Sequence, residues 1–270
     1  MSDQTVQSGW VRAGGQRWHY RLALPEAPGG LAAAASAPPV VFLSGLGIAA
    51  PFWDATQRHL AAHGYTSYAP DLPGFGASAR WSARATPAEL ADATVTWLDA
   101  LGLRRIALVG HSTGARVAME LAARRPERVE RLLIASPTGA YARWRGPRYL
   151  LGLLADAPRE RPALFARVVV WYLGANPVCM VRVGLADIAA SVWDTARRLA
   201  PDLPIMVLCG TRDPLVPPGF IHALAAALPR ARLTLVRGGT HAVFWSHPRV
   251  TTQALLHWLD KAKREARILL

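Results

Sequence analysis

A serine hydroxyl becomes a useful nucleophile only when a base is placed to take its proton. Ser112 occupies the third position of Gly110-His111-Ser112-Thr113-Gly114. The apolar run Ile106-Ala107-Leu108-Val109 precedes this segment, and a helical pattern from Thr113 to Arg125 follows it. A G-x-S-x-G sequence between a strand and a helix is a nucleophile elbow: a sharp, strained turn that lifts the hydroxyl clear of the backbone. Small residues at 110 and 114 let neighbouring chains come close. The helix start offers free N–H groups to a developing negative charge. Downstream, Asp213 lies in the loop after the apolar run Ile205 to Cys209, and His241 in the loop after Leu233 to Val236. The order Ser, acid, His fits acyl transfer on an α/β sheet. Ser112 attacks, His241 relays the proton, and Asp213 fixes the imidazole and stabilises its charged form.

The rivals for these roles are weaker. Asp202 precedes its strand instead of following it, and His247 adjoins Pro248 at a helix start, where a capping role suits it. His111 is read as a packing residue whose side chain points away from the elbow, and Asp71 as the holder of its own turn. Phe52, Trp53, Trp171 and Tyr172 are candidates for an acyl pocket, or equally for plain core. Cys209 lies on a buried strand and acts as a small hydrophobe. Cys179 and Cys209 form neither a disulfide framework nor a metal cluster. With no G-x-G-x-x-G turn and no phosphate-binding lysine loop, neither metal nor nucleotide cofactor is expected.

Three loops meet at one place only if the elements that carry them are parallel. Val6 to Ala13 and Arg17 to Leu24 read as a hairpin about Gly14-Gly15. Residues 25–39 are a low-complexity Pro, Gly and Ala loop. From Val40 onward, short apolar strands (40–43, 65–69, 106–109, 132–135, 205–209, 233–236) alternate with helices (51–62, 87–101, 113–125, 218–228, 248–266). Fully apolar strands alternating with helices make a parallel sheet covered on both faces. Ligands bind such sheets beyond the carboxyl ends of the strands, where all three loops lie. The alternation breaks between Ser136 and Pro201. So long a gap must carry its own structure, here helices at 149–155, 162–173 and 188–199. The chain divides into core 1–136, helical insertion 137–200 and core 201–270.

On these motifs the chain resembles the α/β-hydrolase superfamily, over nearly its whole length. Asp71-Leu72-Pro73-Gly74-Phe75-Gly76-Ala77-Ser78 resembles the turn after the fourth strand in many members with a cap, and Leu43-Ser44-Gly45-Leu46-Gly47 takes the place of the oxyanion loop. The resemblance implies the α/β-hydrolase fold: a mostly parallel, eight-stranded sheet flanked by helices, with a helical cap insertion. It implies an oxyanion hole made by the backbone N–H groups of Leu46 and Thr113. Members commonly carry His-Gly where this chain has Ser44-Gly45. The expected activity is that of a serine hydrolase acting on a carboxylic ester of a small or medium hydrophobic molecule. Carbon–carbon hydrolase, thioesterase and lactonase activities use the same triad. A binding module that keeps the pocket without turnover is the reading outside enzymes.

Charge is the remaining anomaly. Thirty-one Lys plus Arg face 18 Asp plus Glu, a net +13, and only Lys261 and Lys263 are lysines. Most arginines sit at helix ends and turns, with no basic stripe interleaved with aromatics, so nucleic acid is not the expected partner. One concentration falls in the insertion: Arg143, Arg145, Arg148, Arg159, Arg161 and Arg167 against Asp156 and Glu160. A basic cap suits anionic substrates or peripheral contact with an anionic membrane surface. The uncharged run Val168 to Val181 is too short to span a bilayer and is read as a buried or interfacial helix. With no signal-peptide pattern at its start, the chain is expected in the cytoplasm.

Overall fold

The computed structural model describes residues 6–25, 37–78, 86–140 and 145–268. The expected 25–39 loop lies mostly outside these, as does Arg143. Eight strands form one sheet: β1 Val6–Ala13, β2 Gln16–Ala23, β3 Val40–Leu43, β4 Ser67–Pro70, β5 Ile106–His111, β6 Val129–Ala135, β7 Ile205–Gly210 and β8 Ala231–Val236. Their spatial order is β1-β2-β4-β3-β5-β6-β7-β8. β2 runs antiparallel to β1 and β4, and all later pairings are parallel.

The period of two along each strand divides the core. Val41, Leu43, Ile106 and Leu108 face one side, with Leu90 and Trp97 of α2 (Pro87–Ala100) and Val117 and Leu121 of α3 (Thr113–Arg124). Val40, Phe42, Ala107 and Val109 face the other, with Leu60 of α1 (Asp54–Ala62) and Leu255 of α10 (Pro248–Ile268). Each large apolar side chain so buried contributes about 1.5–3 kcal/mol, which rigidly fixes the strand ends that carry the site. Thr86 starts α2 with a reciprocal capping box to Glu89.

Between β6 and β7 the chain forms α4 Arg145–Asp156, α5 Pro162–Gly174, α6 Pro177–Ala189 and the short α7 Val192–Ala196. Two expectations change here. The apolar run 168–181 is no single helix: it breaks at Asn176-Pro177, where the Asn176 side chain accepts the Val178 and Cys179 amides and caps α6. The helix expected over 188–199 is instead the end of α6 and all of α7, parted at Ser191, whose hydroxyl caps α7 by accepting the Asp194 amide. Two further helices, α8 Pro218–Ala227 and α9 Val243–Ser246, follow β7 and β8.

Candidate active site

Ser112 is held at φ 55° and ψ −124°, a backbone conformation that non-glycine residues rarely adopt. Such strain costs about 1–3 kcal/mol and persists only where the surroundings over-determine it. Here the Ser112 amide donates to the Ala135 carbonyl of β6 at 3.0 Å, and its own carbonyl accepts the Ala115 amide at 2.9 Å. Two glycines make the turn possible. A Cβ on Gly110 would lie 2.4 Å from the Gly114 carbonyl oxygen, and one on Gly114 would lie 2.3 Å from that of Leu43.

The elbow meets two other loops. His241 Nε2 lies 3.0 Å from Ser112 Oγ, and its Nδ1 lies 2.9 Å from Asp213 Oδ2. All three residues are buried. The loops bearing Asp213 and His241 are stitched together: the Arg212 amide donates to the Gly239 carbonyl, and a Cβ on Gly210 would strike that same carbonyl. Asp213 Oδ1 accepts the Leu215 amide at 2.9 Å. Burial pushes the Asp213 pKa up, but the His241 charge and these hydrogen bonds outweigh it and hold the carboxyl below its ordinary value. For His241, burial acts downward, and Asp213, Asp156 and Glu160 more than offset it, so its pKa stands above the ordinary 6.5.

Leu46 lies beside the elbow. A Cβ on Gly45 would be 3.1 Å from Ser112 Cβ, so only a bare backbone approaches this closely. The Ile48 amide donates to the Gly45 carbonyl and closes the loop. Thr113 is the first residue of α3, and its amide has no partner within the helix. Ser44 accepts the Trp53 indole N–H at 3.0 Å. Asp71 takes up the Ala50 and Ala77 amides and His19 Nδ1, holding the neighbouring turn as expected.

Of the four aromatic candidates, Phe52 and Tyr172 line the cavity above Ser112. Trp53 is fully buried and stacks on Phe42, and Trp171 packs against the core on that side of the sheet. These two are core residues. His111 does not point away. Its ring stacks on Phe52, lines the cavity and donates from Nε2 to the His241 carbonyl at 2.9 Å. Burial, and then the nearby His241 charge, push its pKa down to about 3, so it stays neutral. His247 pairs with Ser246 Oγ and is not brought to Ser112.

The cavity has a volume of about 340 Å³ and is mostly apolar, with Leu164, Phe165 and Val168 among its walls. Its charged wall residues were missed in the sequence. Asp156, Glu160 and Asp187 all line it, whereas no arginine or lysine does among the described residues. Asp156 Oδ1 accepts the His241 amide and Glu160 Oε1 accepts the Ala242 amide. Burial pushes Asp156 up to about 7, the His241 charge opposing. Asp187 Oδ2 accepts the hydroxyls of Thr113 and Thr138 at 2.8 and 2.7 Å, and its Oδ1 lies 3.4 Å from Arg116 Nε of α3. One carboxylate of α6 therefore grips the residue that follows the nucleophile. Among the described residues, no three His, Cys, Asp or Glu side chains gather as a metal-binding group.

An eight-stranded, mostly parallel sheet with a serine elbow and this loop arrangement defines the α/β-hydrolase class of fold. Residues 40–254 match the Alpha/beta hydrolase family, and the chain belongs to that family. Over 105 residues it is 37% identical to the Abhydrolase domain-containing protein abhd-5.2 of Caenorhabditis elegans, 37% of this chain but only 23% of that one. The pimeloyl-[acyl-carrier protein] methyl ester esterase of Citrobacter koseri is 28% identical over 247 residues, 80% of this chain and 92% of the relative. Among solved structures, the enol-lactonase from Burkholderia xenovorans LB400 superposes with a TM-score of 0.79 at 22% identity, covering 93% of this chain and 100% of that one.

Proposed function

We propose that the protein is a serine hydrolase that cleaves carboxylic esters of small or medium hydrophobic molecules through an acyl-enzyme. The observation that carries the reading is the unbroken line Ser112 Oγ, His241, Asp213, at 3.0 and 2.9 Å, opening into an apolar cavity. In this reading Ser112 Oγ attacks the ester carbonyl carbon as its proton passes to His241 Nε2. The carbonyl oxygen takes the negative charge between the amides of Leu46 and Thr113. The tetrahedral intermediate collapses, and His241 returns the proton to the departing alkoxide. Water then repeats the cycle on the acyl-Ser112 ester, with His241 as base, and releases the acid. Asp213, held ionised, keeps the imidazole tautomer and balances its transient charge. The helical insertion acts as a cap whose Phe165, Val168 and Tyr172 receive the acyl group.

The likeness to a methyl ester esterase over 80% of this chain supports the choice of an oxygen ester. A cavity walled by carboxylates and, among the described residues, by no cation disfavours acidic acyl groups, contrary to the anionic substrates that the basic insertion first suggests. The test is a chain-length series of p-nitrophenyl esters beside matched thioesters and lactones, with wild type and Ser112→Ala. The expected result is turnover of neutral esters with a chain-length optimum, and a kcat lowered by about 10⁴–10⁶ in the variant. Equal turnover by both proteins would favour a binding module, and preference for a thioester, a lactone or a vinylogous diketone would reassign the bond.

A further inference from the structure

The outer surface of the helical insertion is unlike the rest of the molecule. Of the sixteen large hydrophobic side chains exposed among the described residues, twelve lie between Leu150 and Leu185. Leu150 and Leu154 project from α4, Val170 and Leu173 from α5, and Val181 and Leu185 from α6, with Leu173 82% exposed. Monomeric proteins seldom leave so much aliphatic surface to water without an occupant for it. The charges on the same helices are sorted by face. Between residues 147 and 190 the only carboxylates are Asp156, Glu160 and Asp187, and all three line the cavity. The cations Arg148, Arg159, Arg161, Arg167 and Arg182 are all exposed. The outward face thus combines aliphatic side chains with positive charge alone.

We propose that this face docks on an anionic lipid bilayer. Leucine and valine side chains enter the boundary between headgroups and acyl chains, while guanidinium groups on long aliphatic stems stay at phosphate depth. Charge complementarity selects this occupant over a second copy of the chain. A two-fold interface through α4 to α6 would set the same arginines against each other, with no outward carboxylate between residues 147 and 190 to pair with them. The geometry also argues against a straight span. α5 and α6 have 13 residues each and meet at a bend of 108°. At 1.5 Å per residue each is about 20 Å long, short of a bilayer core of about 30 Å. No single helix among the described residues is long and apolar enough to cross, and in the proposed docking the bent pair lies along the surface. Phe165 and Tyr172 are both exposed and cavity-lining, which sets the cavity mouth on the docking face.

The proposal is tested by co-sedimentation of the full chain with phosphatidylcholine vesicles, with and without phosphatidylglycerol, at low and high salt. The account expects binding to the anionic vesicles that weakens at least tenfold in molar salt, where screening shortens to about 3 Å. Leu173→Ser with Val181→Ser should weaken it about tenfold and leave turnover of a soluble short-chain ester unchanged, as should Arg159→Gln with Arg182→Gln. Absence of vesicle binding overturns the proposal. So does equal binding to both vesicle types that ignores the substitutions. A stable dimer in sizing chromatography, dispersed by the leucine and valine changes and blind to vesicles, would also overturn it and assign the face to a second copy. The vesicle-binding and sizing readouts do not require turnover, so the proposal can fail while the esterase reading stands, and the reverse.

Discussion

Substituting alanine at Gly114 tests whether bare backbone contact builds the catalytic geometry. The new Cβ would lie 2.3 Å from the Leu43 carbonyl oxygen and 2.4 Å from that of Ser44. Both oxygens belong to backbone, so no side-chain rotation relieves the clash. Ordinary contact begins near 3.4 Å, so the end of β3 and the elbow must part by about 1 Å. Overpacking of this kind costs about 1–3 kcal/mol of stability, which leaves a folded protein with a lowered melting temperature. The same segment carries Leu46, whose amide is proposed to meet the oxyanion together with that of Thr113. Losing one such donor lowers kcat by about 10²–10³. Steady-state hydrolysis of p-nitrophenyl butyrate, measured well below the melting transition, should therefore show kcat down about 10²-fold or more. KM should change far less, since the cavity walls contributed by α4 to α6 are untouched. Gly174→Ala is the control: its Cβ would meet nothing within 4 Å, and both kcat and KM should hold. A folded Gly114→Ala protein with wild-type kcat would refute the reasoning.

Three further outcomes follow from the same geometry. The Thr113 hydroxyl donates to Asp187, so Thr113→Val should lower kcat about tenfold with a smaller effect on KM, and Thr113→Ser should restore it; equal loss in both variants would point to packing alone. In the proposed reaction His241 must be neutral to act as base, and its pKa is raised, so kcat/KM should climb with pH through a midpoint above 6.5. Asp156→Asn keeps an acceptor for the His241 amide but removes a negative neighbour, so that midpoint should move to lower pH. Asp156 is itself raised from 3.8 to about 7; its folded form binds the proton more tightly, so it withdraws stability as pH climbs through that window. The variant should accordingly melt higher relative to wild type at pH 8 than at pH 4, and a pH-independent difference would contradict the assignment. Asp71→Ala leaves the Ala50 and Ala77 amides and His19 without their acceptor; a loss of about 3–5 kcal/mol and roughly 10 °C in thermal melting is expected.

The sequence disclosed the serine, aspartate and histidine because each follows a short apolar run. A parallel sheet leaves those loops one edge on which to meet, so chain order alone brings them together. The sheet itself was legible for the same reason: fully apolar strands separated by amphipathic helices admit few arrangements. The helical insertion was not legible in this way. Its inward face depends on how each helix is rotated against the sheet, and spacing along a single helix does not carry that phase. Asp156 and Glu160 therefore entered only as the acids set against the insertion's arginines, and Asp187 not at all, although all three line the cavity. Phe52 and Trp53 are neighbours on one helical turn, yet one faces the cavity and the other the core, where Ser44 receives its indole N–H. The signal available for α6 was Asn176 followed by Pro177, a helix start set within an apolar run that was read as continuous. His111 could be excluded as the base, but its hydrogen bond to the His241 carbonyl joins residues 130 apart and has no local signature.

The central claim is that Ser112 carries the acyl group between two chemical steps. Acid quenching during turnover of a p-nitrophenyl ester, followed by intact-mass and peptide mass spectrometry, reads this directly. The account predicts a fraction of the protein heavier by the acyl group less one hydrogen, the added mass confined to the peptide bearing Ser112 and absent from Ser112→Ala. Full turnover with no adduct under any quench, or an adduct on another residue with Ser112→Ala still active, would contradict it.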